Sequence, residues 1–398
     1  MNNFARLMMS GALALVCLST TAMAASASAR TAPSARGTVV SATQVEKLDK
    51  KQVAERLKAT GLDPAQATYG VRAYRVVYTT VDPYGRPTTA SQLVALPDNG
   101  ERNLRVVSWL HGTTVYRGDV ASMNPAATDR AAALLFASTG QAVSAPDYLG
   151  LGKGPGHHPY GHPGATVSAP VDALRATRAF AARSDRRLDR RVLISGFSQG
   201  GLATMMVGRA LQKGEDSYFR LGALAPIAGP YHLSAFEAAA ADDRIRMASL
   251  YLAYFAIAVD RFTGIYDSPA EAFREPYDQQ VEELFDGDHK PQEIAQALPP
   301  TSAKLFTEAF LQKVREPRGR LKQLLTALDS TCDWKPAVPV HIFHGKGDAD
   351  VSFDNALYCR RQLKARGATQ SLTDVGDVDH NLSVRKALPQ VAKEFAAA

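Results

Sequence analysis

The sequence is poor in features that mark several classes of protein. It has only three cysteines, no run rich in lysine or arginine, and no internal repeat. The longest basic clusters are the pairs Arg186-Arg187 and Arg190-Arg191, although the net charge is +7. A nucleic-acid interface needs a concentrated basic patch, so we expect no nucleic-acid partner. Motifs for a cofactor are also missing, and we expect neither a cofactor nor a metal.

Long apolar runs are missing as well, except at the amino terminus. There Arg6 is followed by an apolar stretch over residues 7–18, and Ala22-Met23-Ala24 fits a signal-peptide cleavage site. The stretch is short for a bilayer span, which leaves a membrane anchor as the alternative. The sequence therefore predicts a signal peptide over residues 1–24, cleaved near Ala24. The mature protein is expected to be secreted or periplasmic, soluble, and without stable membrane insertion.

Cleavage at that site removes Cys17 and leaves Cys332 and Cys359. An even number of cysteines in an exported protein favours a disulfide. Cys332 precedes a predicted strand, and Cys359 lies in the helix after the next loop, so the two are able to meet. We expect a bridge that stabilises the fold by about 3 kcal/mol. Two free buried thiols are the alternative.

The order of the elements indicates an α/β protein. Alternating stretches at 73–78 and 91–96 predict antiparallel strands joined by a turn at Pro83-Tyr84-Gly85. Buried strands then alternate with helices to about residue 230, and this rhythm resumes at 338–343. Between them the pattern is helical only. The prediction is a mostly parallel twisted sheet flanked by helices, with a helical cap inserted above the ends of the strands.

The amino-terminal part of the mature chain carries weaker signals. Residues 25–38 are rich in Ala, Ser, Thr and Arg and are predicted to be disordered, and a helix is predicted over residues 42–60. The predicted organisation is a signal peptide (1–24), an N-terminal segment (25–65), a first part of the core (66–230), the cap (231–330) and a second part of the core (331–398).

The most informative motif is Gly196-Phe197-Ser198-Gln199-Gly200, which fits the G-x-S-x-G pattern of a nucleophile elbow. A predicted buried strand over 191–195 precedes it, and an apolar helical stretch over 202–207 follows. Ser198 is therefore placed on a sharp turn, where glycines let the helix pass close to the strand. We predict Ser198 as the nucleophile. A glycine-rich turn without a catalytic role is the alternative.

A serine hydroxyl needs a general base, and the base needs an orienting carboxylate. In chains with this elbow both follow the serine, first the acid and then the histidine. His380 is the last histidine of the chain and follows the last predicted strand, so we predict it as the base. Asp348 fits a G-x-x-D-x-x-V pattern in the loop after the strand at 338–343 and is predicted as the acid. Asp350 is the alternative.

Acyl transfer also needs N–H donors for the developing oxyanion. We predict the backbone N–H groups of Gln199 and of Thr113, which lies in the turn after the strand ending near Leu110. In the predicted cap, Tyr254 and Phe255 lie on an apolar helix over 247–259. They are candidate substrate-binding residues, and the alternative is that they form the core of the cap.

These motifs together resemble the α/β-hydrolase superfamily and, more narrowly, the secretory lipase/esterase family of bacteria and fungi. The chain is also similar to the secreted cell-wall-degrading esterases of plant-associated bacteria. The resemblance covers about residues 70–398, excepting much of the cap. Its matching residues are His111-Gly112-Thr113, Ala145-Pro146-Asp147-Tyr148-Leu149-Gly150-Leu151-Gly152, His158-Pro159-Tyr160, the elbow, Gly345 to Val351 and Asp379-His380.

The resemblance implies an α/β-hydrolase fold and a secreted serine carboxylic-ester hydrolase that acts through an acyl-enzyme on Ser198. Its substrate would be a small-molecule or lipid ester, cell-wall esters included. The loop that carries Asp147 and Tyr148 would shape the wall of the pocket. A serine exopeptidase of the same fold and a binding protein without catalysis are the alternatives.

Overall fold

The computed structural model describes residues 35–398, so the predicted signal peptide, Cys17 and residues 25–34 lie outside the described part. The strands are β1 (Val39–Leu48), β2 (Val71–Val81), β3 (Pro87–Pro97), β4 (Asn103–Leu110), β5 (Ala142–Pro146), β6 (Arg187–Phe197), β7 (Arg220–Ile227), β8 (Val340–His344) and β9 (Gln370–Asp374). The helices before β8 and outside the cap are α1 (Lys50–Ala59), α2 (Thr128–Ser138), α3 (Pro163–Ala182) and α4 (Gln199–Gln212).

The helices of the cap follow β7. They are α5 (Leu233–Ala241), α6 (Ala248–Thr263), α7 (Pro269–Ala272), α8 (Val281–Leu284), α9 (Pro291–Ala297), α10 (Ser302–Leu305), α11 (Glu308–Arg315) and α12 (Gly319–Asp329). Two more helices, α13 (Asp354–Ala365) and α14 (His380–Ala397), follow β8 and β9.

Across residues 35–398 the strands form one nine-stranded sheet in the order β1-β2-β3-β5-β4-β6-β7-β8-β9. The pairs from β1 to β5 are antiparallel, and those from β5 through β4 to β9 are parallel. The predicted α/β class, with a mostly parallel sheet flanked by helices, is confirmed. Parallel strands end at the same edge, so the loops that follow β4, β6, β8 and β9 meet there.

At the antiparallel edge of the sheet, the predicted hairpin is confirmed and the predicted first helix is partly wrong. β2 and β3 pair from Val71↔Pro97 to Val81↔Pro87 around the predicted turn. The helix predicted over 42–60 is wrong in its first part, because Val39–Leu48 is an edge strand paired with β2, and the helix begins at Lys50. The predicted disorder does not extend to residue 37, since the N–H of Gly37 donates to the carbonyl of Thr79 at 2.7 Å.

The segment between β7 and β8 is helical, as predicted for the cap. Its apolar side chains form a core that also includes a few residues from outside the cap, and helix α6 contributes a continuous buried stretch over residues 252–259. Since β7 and β8 are neighbours in the sheet, the cap leaves and re-enters the sheet between adjacent strands. Within residues 35–398, no helix is both long enough and apolar enough for a membrane span.

The predicted disulfide between Cys332 and Cys359 is present, with both residues buried. It joins the segment after α12 to helix α13, 27 residues further along the chain. The closed loop contains β8 and the loop that carries Asp348. The bridge therefore encloses the segment that supplies the predicted catalytic acid.

Candidate active site

Ser198 lies between β6 and α4 in a strained backbone conformation, with φ 55° and ψ −117°. Its N–H donates to the carbonyl of Ile227 at 2.9 Å, which ties the turn to β7. A Cβ atom on Gly196 would lie 2.6 Å from the carbonyl oxygen of Leu110. A side chain there would push β4 away from the turn, so the glycine is required by close packing. Positive φ in a non-glycine residue is costly and is concentrated at functional sites.

His380 is the first residue of α14 and is 4% exposed. Its Nδ1 lies 2.6 Å from Oδ2 of Asp348, and its ring packs against Phe197 at 4.5 Å between centroids. Because the carboxylate accepts, the proton of the neutral ring is on Nδ1. Nε2 is then free to accept a proton, and no group within residues 35–398 forms a hydrogen bond with it. A bond from the serine hydroxyl often tightens only when substrate binds.

Asp348 is held by four hydrogen bonds in the loop after β8. Oδ2 accepts from His380 and from Nε2 of His344 at 3.1 Å, while Oδ1 accepts from the N–H groups of Asp350 and Val351 at 3.0 and 2.9 Å. Burial raises the pKa of Asp348, but the hydrogen bonds from His344 and His380 outweigh it and hold the pKa at about 2. The carboxylate is therefore charged at neutral pH.

The alternative acid, Asp350, has a different environment. Its carboxylate pairs with Arg246 at 3.1 Å. The structure thus brings Asp348, and not Asp350, to the histidine.

Ser198 and His380 line one cavity of about 180 Å³ at the carboxyl edge of the sheet. Thr113, in the turn after β4, lines the same cavity. The N–H of Thr113 has no acceptor among residues 35–398. The N–H of Gln199 lies in the first turn of α4, where helix N–H groups lack intrahelical acceptors and the dipole favours negative charge. Thr113 therefore shares the cavity with Ser198, and Gln199 follows Ser198 directly in the chain.

The structure does not bring Tyr254 or Phe255 to this cavity. Both are buried in the apolar core of the cap, 4% and 1% exposed. The residue of α6 that lines the cavity is Tyr251. The sequence offers Tyr251 beside Tyr254 and Phe255 as an ambiguous aromatic set, because the apolar pattern of α6 does not say which face of the helix turns to Ser198. The predicted substrate-binding role of Tyr254 and Phe255 stays a prediction.

Two acidic residues that the sequence did not single out also line the cavity, Asp119 and Asp129. Oδ1 of Asp129 accepts from the indole N–H of Trp109 at 2.9 Å, and burial raises the pKa of Asp129. No local motif marks either residue, because Asp119 lies in the long connection between β4 and α2 and Asp129 in the first turn of α2.

The histidine-rich stretch 157–162 has structural partners. Nδ1 of His158 bonds to the carbonyl of Leu149 at 2.9 Å, and Nδ1 of His162 accepts from the N–H of Ala165 at 3.0 Å. Within the described part of the chain, no three His, Cys, Asp or Glu side chains are grouped for a metal ion.

Several solved structures are similar to this one. The rice cell wall degrading esterase LipA from Xanthomonas oryzae is 26% identical, with a TM-score of 0.76, over 91% of this chain and 97% of that one. A protein of Legionella pneumophila, provisionally named a hydrolase, is 26% identical with a TM-score of 0.80, over 90% of this chain and 97% of the other.

Candida antarctica lipase A is similar at 12% identity and a TM-score of 0.63, over 90% of this chain and 83% of the lipase. That likeness concerns the fold alone. No protein-family model matches the sequence, and no curated protein matches it.

Proposed function

We propose that this chain, which has the α/β-hydrolase fold and is similar to esterases that share it, is a secreted serine carboxylic-ester hydrolase. One observation carries the proposal. Ser198 on its strained elbow lines the same cavity as His380, and His380 is hydrogen-bonded to Asp348. The named activity of the esterase and hydrolase neighbours supports the reaction class.

Acylation begins when Oγ of Ser198 attacks the ester carbonyl and its proton passes to Nε2 of His380. Asp348 keeps the Nδ1 proton in place and stabilises the imidazolium, because its pKa of about 2 leaves it charged. The intermediate collapses, and His380 gives its proton to the departing alcohol. A water molecule, deprotonated by His380, then attacks the acyl-enzyme and releases the acid.

The negative charge of the tetrahedral intermediate needs fixed donors. The N–H groups of Thr113 and Gln199 serve this purpose in the proposal, since they flank Ser198 from β4 and α4. The positive end of the α4 dipole adds to their effect, because the helix begins at Gln199.

The size of the cavity suggests the substrate. At about 180 Å³ it is smaller than the roughly 300–1,000 Å³ of pockets for drug-sized ligands. A short acyl group fits it better than a long chain. The rest of the ester would extend beyond the cavity into solvent. Short acyl esters of larger alcohols, such as those of a plant cell wall, are therefore the substrate class that we propose.

Export is part of the proposal. The buried bridge between Cys332 and Cys359 is of a kind that forms and persists in oxidising compartments. This supports the secreted or periplasmic location expected from the first 24 residues.

The proposal is tested by Ser198→Ala, with Ser195→Ala as a matched control. Both remove one hydroxyl near the elbow, and that of Ser195 donates to the carbonyl of Ala225 at 2.7 Å within the sheet. With p-nitrophenyl butyrate, Ser198→Ala should lose about 10⁶-fold in kcat, as for a serine nucleophile. Its melting temperature should stay close to that of the wild type. Ser195→Ala should keep its activity and lose about 1 kcal/mol of stability. Activity in Ser198→Ala above a few per cent of the wild type would exclude the serine mechanism.

The exopeptidase alternative has one observation in its favour. Asp119 and Asp129 line the cavity of Ser198, and a carboxylate near the reacting carbonyl is able to bind a free amino group. Aminoacyl p-nitroanilides, assayed beside the p-nitrophenyl esters, separate the two activities. A higher kcat/KM for the anilides, lost in Asp119→Asn, would favour the peptidase.

A further inference from the structure

Behind the candidate active site, Tyr148, His158, Tyr160 and Tyr254 pack together into one aromatic cluster. We propose that this cluster positions both oxyanion donors, and that its members are positioning residues for ester hydrolysis. The proposal rests on the function proposed above. It also gives a role to the Asp-Tyr-x-Gly-Leu-Gly and His-Pro-Tyr motifs, which contain none of the proposed catalytic residues.

The turn after β4 carries the N–H of Thr113, one of the two proposed donors. Three tyrosine hydroxyls of the cluster hold this turn at successive points. Each bond reaches the donor residue or a residue within two positions of it. The bonds are Tyr148 Oη to the carbonyl of His111 at 3.3 Å, Tyr160 Oη with Oγ1 of Thr113 at 3.2 Å, and Tyr254 Oη to the carbonyl of Thr114 at 3.1 Å.

The other proposed donor is the N–H of Gln199, and the side chain of Gln199 also contacts the cluster. Nε2 of its side chain lies 3.0 Å from Nε2 of His158. The other ring nitrogen of His158 faces the carbonyl of Leu149, which accepts only. The proton of His158 is thus on Nδ1, and Nε2 accepts from Gln199. Burial lowers the pKa of His158 to about 3, so this arrangement persists across the working range of pH.

The four rings form one packed unit, so the two donors are coupled. Tyr160 stacks on Tyr254 at 4.7 Å with an interplanar angle of 12°, and Tyr148 stacks on His158 at 5.8 Å and 13°. His158 also packs against Tyr254 at 6.2 Å. Tyr254 belongs to α6, which means that the cap contacts the oxyanion turn directly.

The base of the cluster is anchored in the sheet by Asp147, next to Tyr148. This fully buried carboxylate accepts from the hydroxyls of Ser91 and Ser122, each at 2.6 Å. Tyr148 itself has a φ of 65°. This backbone conformation is unfavourable for a tyrosine and persists only where neighbouring contacts stabilise it. The hydrogen bonds of Asp147 supply such contacts.

Positioning matters because an oxyanion donor acts only within hydrogen-bond distance of the developing charge. Removal of a donor costs roughly 10²- to 10³-fold in kcat. A donor that is present but poorly held should cost less. We expect about tenfold for the loss of one hydroxyl of the cluster, and more for the loss of two.

The test uses Tyr160→Phe, Tyr254→Phe and the double variant, because phenylalanine keeps the ring and its stacking. Tyr78→Phe is the matched control. Its hydroxyl is buried and donates to the carbonyl of Ala169 at 3.0 Å, and Tyr78 does not line the cavity. For each protein, kcat and KM with p-nitrophenyl butyrate, the melting temperature, and Ki for phenylboronic acid are measured. The boronate adduct with Ser198 imitates the tetrahedral intermediate.

Positioning predicts that kcat falls about tenfold while KM stays unchanged, and that Ki for the boronate rises by a similar factor. Tyr78→Phe should change only the melting temperature. Ki does not depend on the fraction of folded enzyme, so a partly unfolded variant still gives an answer. An unchanged Ki in the double variant overturns the inference. A wild type that does not hydrolyse the ester overturns the proposed function instead.

Discussion

Among single residues, Asp348 and Asp350 show how two neighbouring carboxylates acquire different roles. Asp348 is surrounded by donors, two of them histidines, whereas Asp350 pairs with Arg246. The spacing in the sequence favoured the right candidate for the contact with His380. It gave no information on His344, whose bond to Asp348 depends on how the loop folds back on β8.

Asp348→Asn should reduce kcat by about 10⁴-fold, because the amide no longer holds the reactive tautomer of His380. Asp350→Asn removes a charge of the same size two residues away and should keep kcat within about threefold. The comparison of kcat with p-nitrophenyl butyrate is the measurement. If Asp350→Asn were the more damaging change, the assignment of the acid would be wrong, although the esterase reaction would stand.

Acid stability should also depend on Asp348. Its folded-state pKa is about 2, below the ordinary value of 3.8. Because the pKa is lowered on folding, the carboxylate stabilises the fold above about pH 4, and this contribution is lost as the pH falls to about 2. The loss is about 2 kcal/mol. Other carboxylates also have lowered pKa values, so both proteins should lose stability in acid, but urea unfolding at several pH values should show a larger decline in the wild type than in Asp348→Asn. Parallel declines in both proteins would contradict the prediction.

At the scale of helices and strands, local signals were sufficient for the elbow and for the β2–β3 hairpin. In both, neighbouring residues stabilise the turn. In the hairpin, for example, the carboxylate of Asp82 accepts from the N–H groups of Tyr84 and Arg86. β1 lacks such a signal. Most of its side chains are exposed, and its pairing with a distant strand overrides the helical pattern.

Substitutions on two faces of helix α6 should have different effects, because one face lines the cavity and the other is buried in the cap. Tyr251→Ala should enlarge the cavity of Ser198 and raise kcat/KM for octanoate relative to acetate esters. Phe255→Ala removes a fully buried ring and should cost about 3–5 kcal/mol in stability, with all esters affected alike. Rates over a series of p-nitrophenyl esters and thermal melts distinguish the two. A selective loss of long esters in Phe255→Ala would instead restore it as an acyl-binding residue.

The disulfide should stabilise the second part of the core. The double variant Cys332→Ser/Cys359→Ser should lose about 3 kcal/mol of unfolding free energy, since the bridge closes a loop over 27 residues of separation. Urea titrations with and without dithiothreitol are the measurement, and the reductant should act on the wild type alone. Equal unfolding midpoints of wild type and variant would show that the bridge contributes nothing.

For the whole molecule, the sequence predicted the sheet, the helical cap and the convergence of the loops that carry Ser198, Asp348 and His380. The order of the strands and of the motifs determines where these loops converge. The aromatic cluster was not predicted as a unit, because its members come from three separate segments. Which residue of the cap faces Ser198 depends in the same way on the packing of α6 against the turn after β4.

The size of the cavity sets the expected substrate profile. Among p-nitrophenyl esters from acetate to palmitate, kcat/KM should be highest for butyrate or hexanoate and should not jump where the substrate begins to aggregate. A maximum at laurate or longer, with such a jump, would identify a lipase. Retained activity on short esters in that experiment would still agree with the serine mechanism.

The position of the cap between two neighbouring strands has an evolutionary consequence. Residues 228–339 leave the sheet after β7 and return to it at β8, its direct neighbour. The sheet can therefore accept an insertion of another length or sequence at this point without any change in strand order. Replacement of this segment during evolution would change substrate specificity without altering the loops that carry the serine, the acid and the histidine. The bond from Tyr254 to the turn after β4 limits that freedom, because each new cap would have to supply a substitute for its hydroxyl.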